Sequence, residues 1–204
     1  QERWINLQQC IGFCLAHALS DLSKDLKVLL VVPDNSQLKM YEKGLIKILD
    51  TKKETLTLTD RVDTINSMNA DAIEFHNNSA PFTASGFETL CFSENGPDGK
   101  PTESFNMCKF INSSVGFNMN CKIRNIKPIY DYANQKYIDR EIFLLKSTKN
   151  NCVLTESGFM SNEKDLANID VDLDSYNEQM GASIWLGYRN FYLYMKEKER
   201  GGVK

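Results

Sequence analysis

Six cysteines, at positions 10, 14, 91, 108, 121 and 152, are the side chains with the widest chemistry in this 204-residue chain. A thiol pairs into a disulfide, and a thiolate ligates soft metals or attacks a carbonyl. The even count makes pairing the leading expectation, with Cys10, Cys14, Cys91, Cys108, Cys121 and Cys152 all half-cystines. Two Asn-x-Ser sequons, Asn77-Asn78-Ser79 and Asn112-Ser113-Ser114, make Asn77 and Asn112 the expected glycan acceptors. Both features point to folding outside the cytosol, as a secreted or surface-displayed glycoprotein.

Spacing also suggests two metal chemistries. Cys10, Cys14 and His17 stand at i, i+4 and i+7, on one face of a helix. A structural zinc site needs a fourth ligand and draws close pairs from two segments, so two half-cystines beside a histidine explain these residues better. Asp170-x-Asp172-x-Asp174, with Glu178 at the ninth position, repeats the oxygen-donor spacing of an EF-hand loop. Ser175 stands where that loop requires glycine, and Gly181 where it requires a bidentate glutamate. What remains is a looser calcium site at Asp170, Asp172, Asp174 and Glu178, or a solvated acidic loop. No other cofactor is expected.

Two short segments resemble parts of known families. Gln8 to Ala16 looks like a fragment of the papain-type active-site segment, with glutamine six before Cys14, glycine two before and alanine two after. That resemblance implies a Cys14 thiolate stabilised by a downstream histidine. The only histidines are His17 and His76, and Leu15 replaces the tryptophan that usually follows the cysteine, so Cys14 reads as structural. Cys152, Gly158 and Ile184-Trp185-Leu186-Gly187 resemble the first half of a C-type lectin-like domain, which implies a strand at 184–187 and glycan binding. The 17 residues after Gly187 cannot hold that domain's second half. No Gly-x-Gly-x-x-Gly, Gly-x-Ser-x-Gly or Walker pattern occurs, so a hydrolase here would have to carry a carboxylate site that no motif announces.

The elements that position these groups belong to a globular fold. Hydrophobic content of 42% and charged content of 25% supply a packed core without help from disulfides. A net charge of −3 with no basic stripe argues against nucleic acid as a partner. The longest apolar run, Val28 to Val32, is far short of a membrane span, although the sequence allows a membrane anchor outside this chain. Apolar residues at 4, 7, 11, 14 and 18 predict a helix over roughly 2–24. Leu38, Tyr41, Leu45, Ile48 and Leu49 predict a second helix, 55–59 a short strand, and Asp60 the cap of a third helix reaching Ile73. The polar run His76 to Pro81 is expected to end the helical part. Beyond it, 87–92, 104–111, 117–126, 137–145 and 183–195 read as strands, with turns at 95–100 and 112–116. Either Cys91 or Cys121 would then pair with Cys108 across a hairpin.

The expected fold class is therefore α+β, with N-terminal helices (1–80) packed on an antiparallel, disulfide-stapled sheet (81–204) as one integrated domain. Tyr188, Tyr192 and Tyr194 face outward on the last predicted strand and suit a protein interface. The functional expectation is a non-catalytic module that binds a partner protein or glycan. The alternatives are a structural subunit of a larger extracellular or membrane-anchored assembly, a C-type lectin-like fragment, and a hydrolase with an unrecognised carboxylate site.

Overall fold

The computed structural model describes residues 57–78, 83–92, 103–127, 129–131, 136–138, 142–170 and 173–202. The elements within them are α1 (Leu58–Ser67), β1 (Ala72–Asn78), β2 (Glu88–Cys91), α2 (Glu103–Asn118), β3 (Ile129–Asp131), β4 (Lys136–Ile138), α3 (Phe143–Ser147), β5 (Cys152–Phe159), α4 (Glu163–Asp170) and α5 (Leu173–Glu199). The two helices expected before residue 50, the Cys10–Cys14–His17 face and the 95–100 turn lie outside the described residues.

Helix α1 starts one turn earlier than the Asp60 cap predicts. Thr57 Oγ1 accepts the Asp60 backbone N–H at 3.1 Å, and Asp60 Oδ2 accepts the Thr57 N–H at 3.0 Å. This reciprocal capping box satisfies two otherwise orphaned donors and stabilises the helix by about 1 kcal/mol. The helix ends where Asn69 turns left-handed at φ 51°, with Ala70 N–H donating to Ile65 O and Asn69 N–H to Asn66 O. The chain is thereby turned into β1, so Ala72 and Ile73 belong to a strand and not to the helix.

The main sheet has the order β1-β5-β2. β1 runs parallel to β5, and β2 antiparallel to it. The sheet is thus mixed, not antiparallel as expected, because β1 comes from the segment read as mainly helical. Helix and strand do combine in one small-sheet fold, as the fold class anticipates. β5 is buried at all eight of its positions. The outer edge of β2 is covered by residues 122–127, which exchange backbone hydrogen bonds with Phe87, Thr89 and Cys91.

Each face of the sheet packs against helices. On one face Phe87, Cys91 and Val153 meet Met107, Cys108, Ile111 and Val115 of α2 and Met180, Ile184, Trp185 and Phe191 of α5. On the other, Leu90, Cys152 and Leu154 meet Val62 and Ile65 of α1 and Leu144 and Leu145 of α3. The runs at 104–111 and 183–195 are therefore helical. Their apolar residues recur at intervals of 1, 3 and 4, which fits a helical face pressed on a sheet better than strand alternation. The 184–187 stretch likewise lies inside α5, so no lectin-type strand exists there.

Helices α2 and α5 touch at the backbone. A Cβ on Gly187 would lie 2.6 Å from Ile111 Cα and 2.9 Å from Phe110 O. Gly187→Ala gains about 0.5–1 kcal/mol of helix propensity. Separating two packed helices costs more, about 1–3 kcal/mol. The net expectation is a lower melting temperature by several degrees in a thermal unfolding scan; an unchanged or raised value would refute the close crossing.

Candidate active site

Strand alternation puts a row of ionisable side chains on one face of the sheet. His76 of β1 is in register with Glu156 of β5, and Glu156 with Glu88 of β2. Leu90, Leu154 and Ala72 face α1 and α3, so by period-2 alternation Glu74, His76, Glu156 and Glu88 share that face. The row lies at the carboxyl end of the parallel pair, where open α/β sheets place their ligands.

Each end of the row has its own electrostatics. Glu88 is fully buried, and its carboxylate accepts from Arg124 Nε at 2.7 Å, Lys127 Nζ at 3.2 Å and Asn78 Nδ2 at 3.2 Å. Arg124 is oriented further by Ser85 O at 3.4 Å and by stacking 4.9 Å from the Phe159 ring. At the other end, Glu74 Oε1 stands 3.3 Å from His76 Nε2 and 3.7 Å from Arg61 Nη1. The hydrogen bond that His76 donates to Glu74 raises its pKa above the ordinary value, and partial burial opposes that shift. Glu156, buried, stands between the two ends.

The exit of β5 is pinned. Asp165 Oδ2 accepts both Phe159 N–H and Gly86 N–H at 2.8 Å, and Tyr176 Oη donates to Ser157 O at 2.9 Å. Gly86 has φ +104°, and a Cβ there would sit 2.2 Å from Lys122 O, so only glycine lets the chain approach β2 this way. A recess of about 190 Å³ lined by Met119, Asn120, Cys121, Asn168, Ser175, Tyr176 and Gln179 shares no residue with the row.

The residues singled out from sequence are placed elsewhere. Cys91, Cys108, Cys121 and Cys152 are free thiols. Burial pushes Cys121 up to about 11 and Cys152 up to about 12, which keeps both protonated. The disulfide staple is corrected accordingly: Cys108 lies inside α2 and Cys91 on β2, so the hairpins invoked to pair them do not form. Asn112 is corrected as a glycan site, because its side chain is buried in α2, accepting from Thr89 Oγ1 at 2.9 Å and donating to Arg124 O. Asn77 lies partly buried within β1. Asp170 ends α4 and Asp174 falls in the first turn of α5, while Asp172 lies outside the described residues. Residues 173–181 are helical, and Glu178 is exposed on α5. Tyr188 is turned inward on α5, its hydroxyl donating to Asp71 Oδ2 at 3.3 Å. Tyr194 packs on Phe110, and Tyr192 is half-buried beneath Lys196. Among the described residues no group of three or more His, Cys, Asp or Glu side chains is placed to hold a metal ion, and no helix is long and apolar enough to cross a membrane.

Sequence reading missed Glu156, Glu88 and Arg124, and counted His76 only as a lone histidine. A signal was present: Ala72-Ile73-Glu74-Phe75-His76 and Val153-Leu154-Thr155-Glu156 each end an apolar run in an ionisable residue.

This is the geometry of a layered α/β enzyme with carboxylate and imidazole at the strand ends. The chain belongs to the N-acetylmuramoyl-L-alanine amidase family, whose model matches residues 12–190. The fold is similar to that of an N-acetylmuramoyl-L-alanine amidase from Clostridium difficile 630, with a TM-score of 0.63 and 22% identity over 93% of this chain and 83% of that one. It is similar also to the CwlD amidase from Clostridioides difficile in complex with the GerS lipoprotein, with a TM-score of 0.58 and 21% identity over 93% and 85%. Cwp6 from Clostridium difficile matches with a TM-score of 0.58 and 18% identity, over 90% of this chain but only 25% of that longer one. No curated protein sequence matches. The expectation of a non-catalytic glycoprotein module is overturned by this membership, and the hydrolase alternative with a carboxylate site fits better.

Two stability predictions follow from the geometry. Arg124→Met strands the buried Glu88 carboxylate and is expected to cost about 3–5 kcal/mol, more than Lys127→Met, by chemical denaturation; equal small losses would show that the pair is not buried. Asp71 is raised above its ordinary pKa by burial, with opposing hydrogen bonds from Asn151 and Tyr188. A carboxyl raised on folding contributes stability that is present in acid and lost as pH rises through its folded value. Asp71→Asn keeps an acceptor and removes that loss, so its melting temperature relative to wild type should climb from about pH 4 to neutrality. A pH-independent difference would contradict the burial of the charge.

Proposed function

We propose that the protein hydrolyses the amide bond between N-acetylmuramic acid and L-alanine in peptidoglycan, with Glu156 as the carboxylate that moves the proton. The observation that carries this reading is the in-register row of His76, Glu156 and Glu88 at the strand ends. Family membership supplies the bond class. Amide hydrolysis needs a base for the attacking water, stabilisation of charge on the carbonyl oxygen and a proton for the departing amine. Glu88 is held by two cations, and Glu74 by Arg61 and His76. Glu156, central and buried, takes a proton from water and returns it to the amine of L-alanine. Because a carboxylate only accepts, Glu74 keeps a proton on His76 Nε2 and leaves Nδ1 for the substrate side.

Members of this family are often zinc-dependent. A catalytic zinc takes three protein donors and keeps one open position. Among the described residues His76 is the only imidazole and no three donors are grouped to hold an ion, although the Glu74 carboxylate on Nε2 orients the ring as a metal-ligating histidine is oriented, with Nδ1 as the donor atom. No step is therefore assigned to a metal. Peptidoglycan lies outside the cytoplasm, so the reading carries a cell-wall or extracellular location and a glycan-peptide partner with it.

The test is incubation of the protein with purified peptidoglycan, with and without added zinc, followed by assay of new amino termini and reducing sugars. New L-alanine amino termini are expected without new reducing ends. Glu156→Gln should lower the rate about 10²-fold or more while leaving the fold intact by circular dichroism. Release of reducing sugars, or an undiminished Glu156→Gln rate, would overturn the assignment.

A further inference from the structure

The two ends of the row are not electrically equivalent. On the β2 side Arg124 and Lys127 together face Glu88, one positive charge more than that carboxylate neutralises, and the next acid along the row is Glu156. Both cations keep solvent access, with side-chain exposures of 28% and 22%, whereas Glu88 has none. The Arg124 guanidinium is locked by Glu88, Ser85 O and the Phe159 ring, and its Nη2 makes no hydrogen bond to any described residue. On the β1 side Glu74 faces Arg61 and the His76 imidazole, which is charged only when protonated, so the one fixed positive charge there is matched by the carboxylate. Residues directly opposite on antiparallel strands stand about 5 Å apart at Cβ, so the cationic edge is within one residue's reach of Glu156.

We propose that Arg124 and Lys127 form a subsite for a carboxylate on the peptide portion of the substrate, the side that departs with the L-alanine amine. This inference rests on the amidase reading. It orients the substrate: the acidic peptide lies over the β2 edge and the uncharged muramoyl sugar over the β1 edge. Arg124 supplies a fixed donor from its outer nitrogen, and Lys127 a movable point charge. Glu88 acts as a positioning residue, because it holds both cations at the sheet edge without entering the cleft. The discrimination then depends on charge and weakens as salt rises.

The experiment compares two muramoyl dipeptides, one with a free carboxylate on the second residue and one with that carboxylate amidated. It also measures binding of the two corresponding free dipeptides by calorimetry. Wild type is expected to favour the free carboxylate by about tenfold in kcat/KM, carried in KM, with the same preference in dipeptide binding. Lys127→Met should reduce the preference towards unity in both measurements, and Lys127→Arg should restore it. Equal handling of both dipeptides by wild type, or a preference untouched in a folded Lys127→Met protein, would overturn the subsite. If neither substrate is cleaved but the binding preference and its dependence on Lys127 persist, the subsite stands and the amidase reading falls.

Discussion

Strand β5 is closed in on both faces and along both edges, and that enclosure dictates most of what surrounds it. A strand buried at every position has no water to satisfy its polar groups, so each must find a partner inside the protein. The backbone is served by β1 on one side and β2 on the other. The exit is served by Asp165, whose single oxygen collects the N–H groups of Phe159 and Gly86. A glutamate within such a strand is costly unless its charge is paired or hydrogen-bonded. Glu156 stands in that position, and the neighbouring Glu88 shows how the fold holds a buried carboxylate: it surrounds it with Arg124, Lys127 and Asn78.

How much of this was legible in the sequence depended on whether a pattern was local. Helix α1 could be read because Val62 and Ile65 recur at helical spacing, although its cap is Thr57, in a segment expected to be a strand, and not Asp60. Strand β2 could be read because 87–92 is short, apolar and rich in aromatic residues. Helices α2 and α5 could not, because their buried sides carry Ser104, Asn112, Ser114, Asn177 and Ser183 among the apolar residues, which blurs the helical period. Gly187 added to the confusion, since a glycine inside a helix reads as a breaker until its contact with the α2 backbone is known. Parallel pairing of β1 with β5 joins residues about eighty apart, and nothing local in either strand announces the other. The row His76–Glu156–Glu88 is a property of that pairing and so was invisible with it.

The cysteines misled for a related reason. Their number favours disulfides only if their positions can meet, and the positions depend on elements that were read as hairpins. With 103–118 helical, Cys108 becomes a small apolar residue in the core beside Met107 and Ile111. Cys152 opens β5 under α3 and Ser104, and Cys91 closes β2. In each case the thiol fills volume in a packed interior, the ordinary use of cysteine in a core. Asn112 carries the same lesson. Its sequon is intact, yet its side chain ties Thr89 of the sheet to the carbonyl of Arg124.

That last contact links packing to chemistry. Arg124 is fixed from four directions: its backbone N–H to Phe87 O, its carbonyl to Asn112, its Nε to Glu88 and its guanidinium plane to Phe159. A side chain so over-determined loses little conformational entropy on meeting a ligand, which is the condition for a preorganised subsite. The segment 122–127 covers the sheet edge for reasons of stability, and in doing so it brings its cations beside Glu156. Edge protection and substrate orientation would then be served by the same six residues, and a change that loosens 122–127 from β2 should disturb both together.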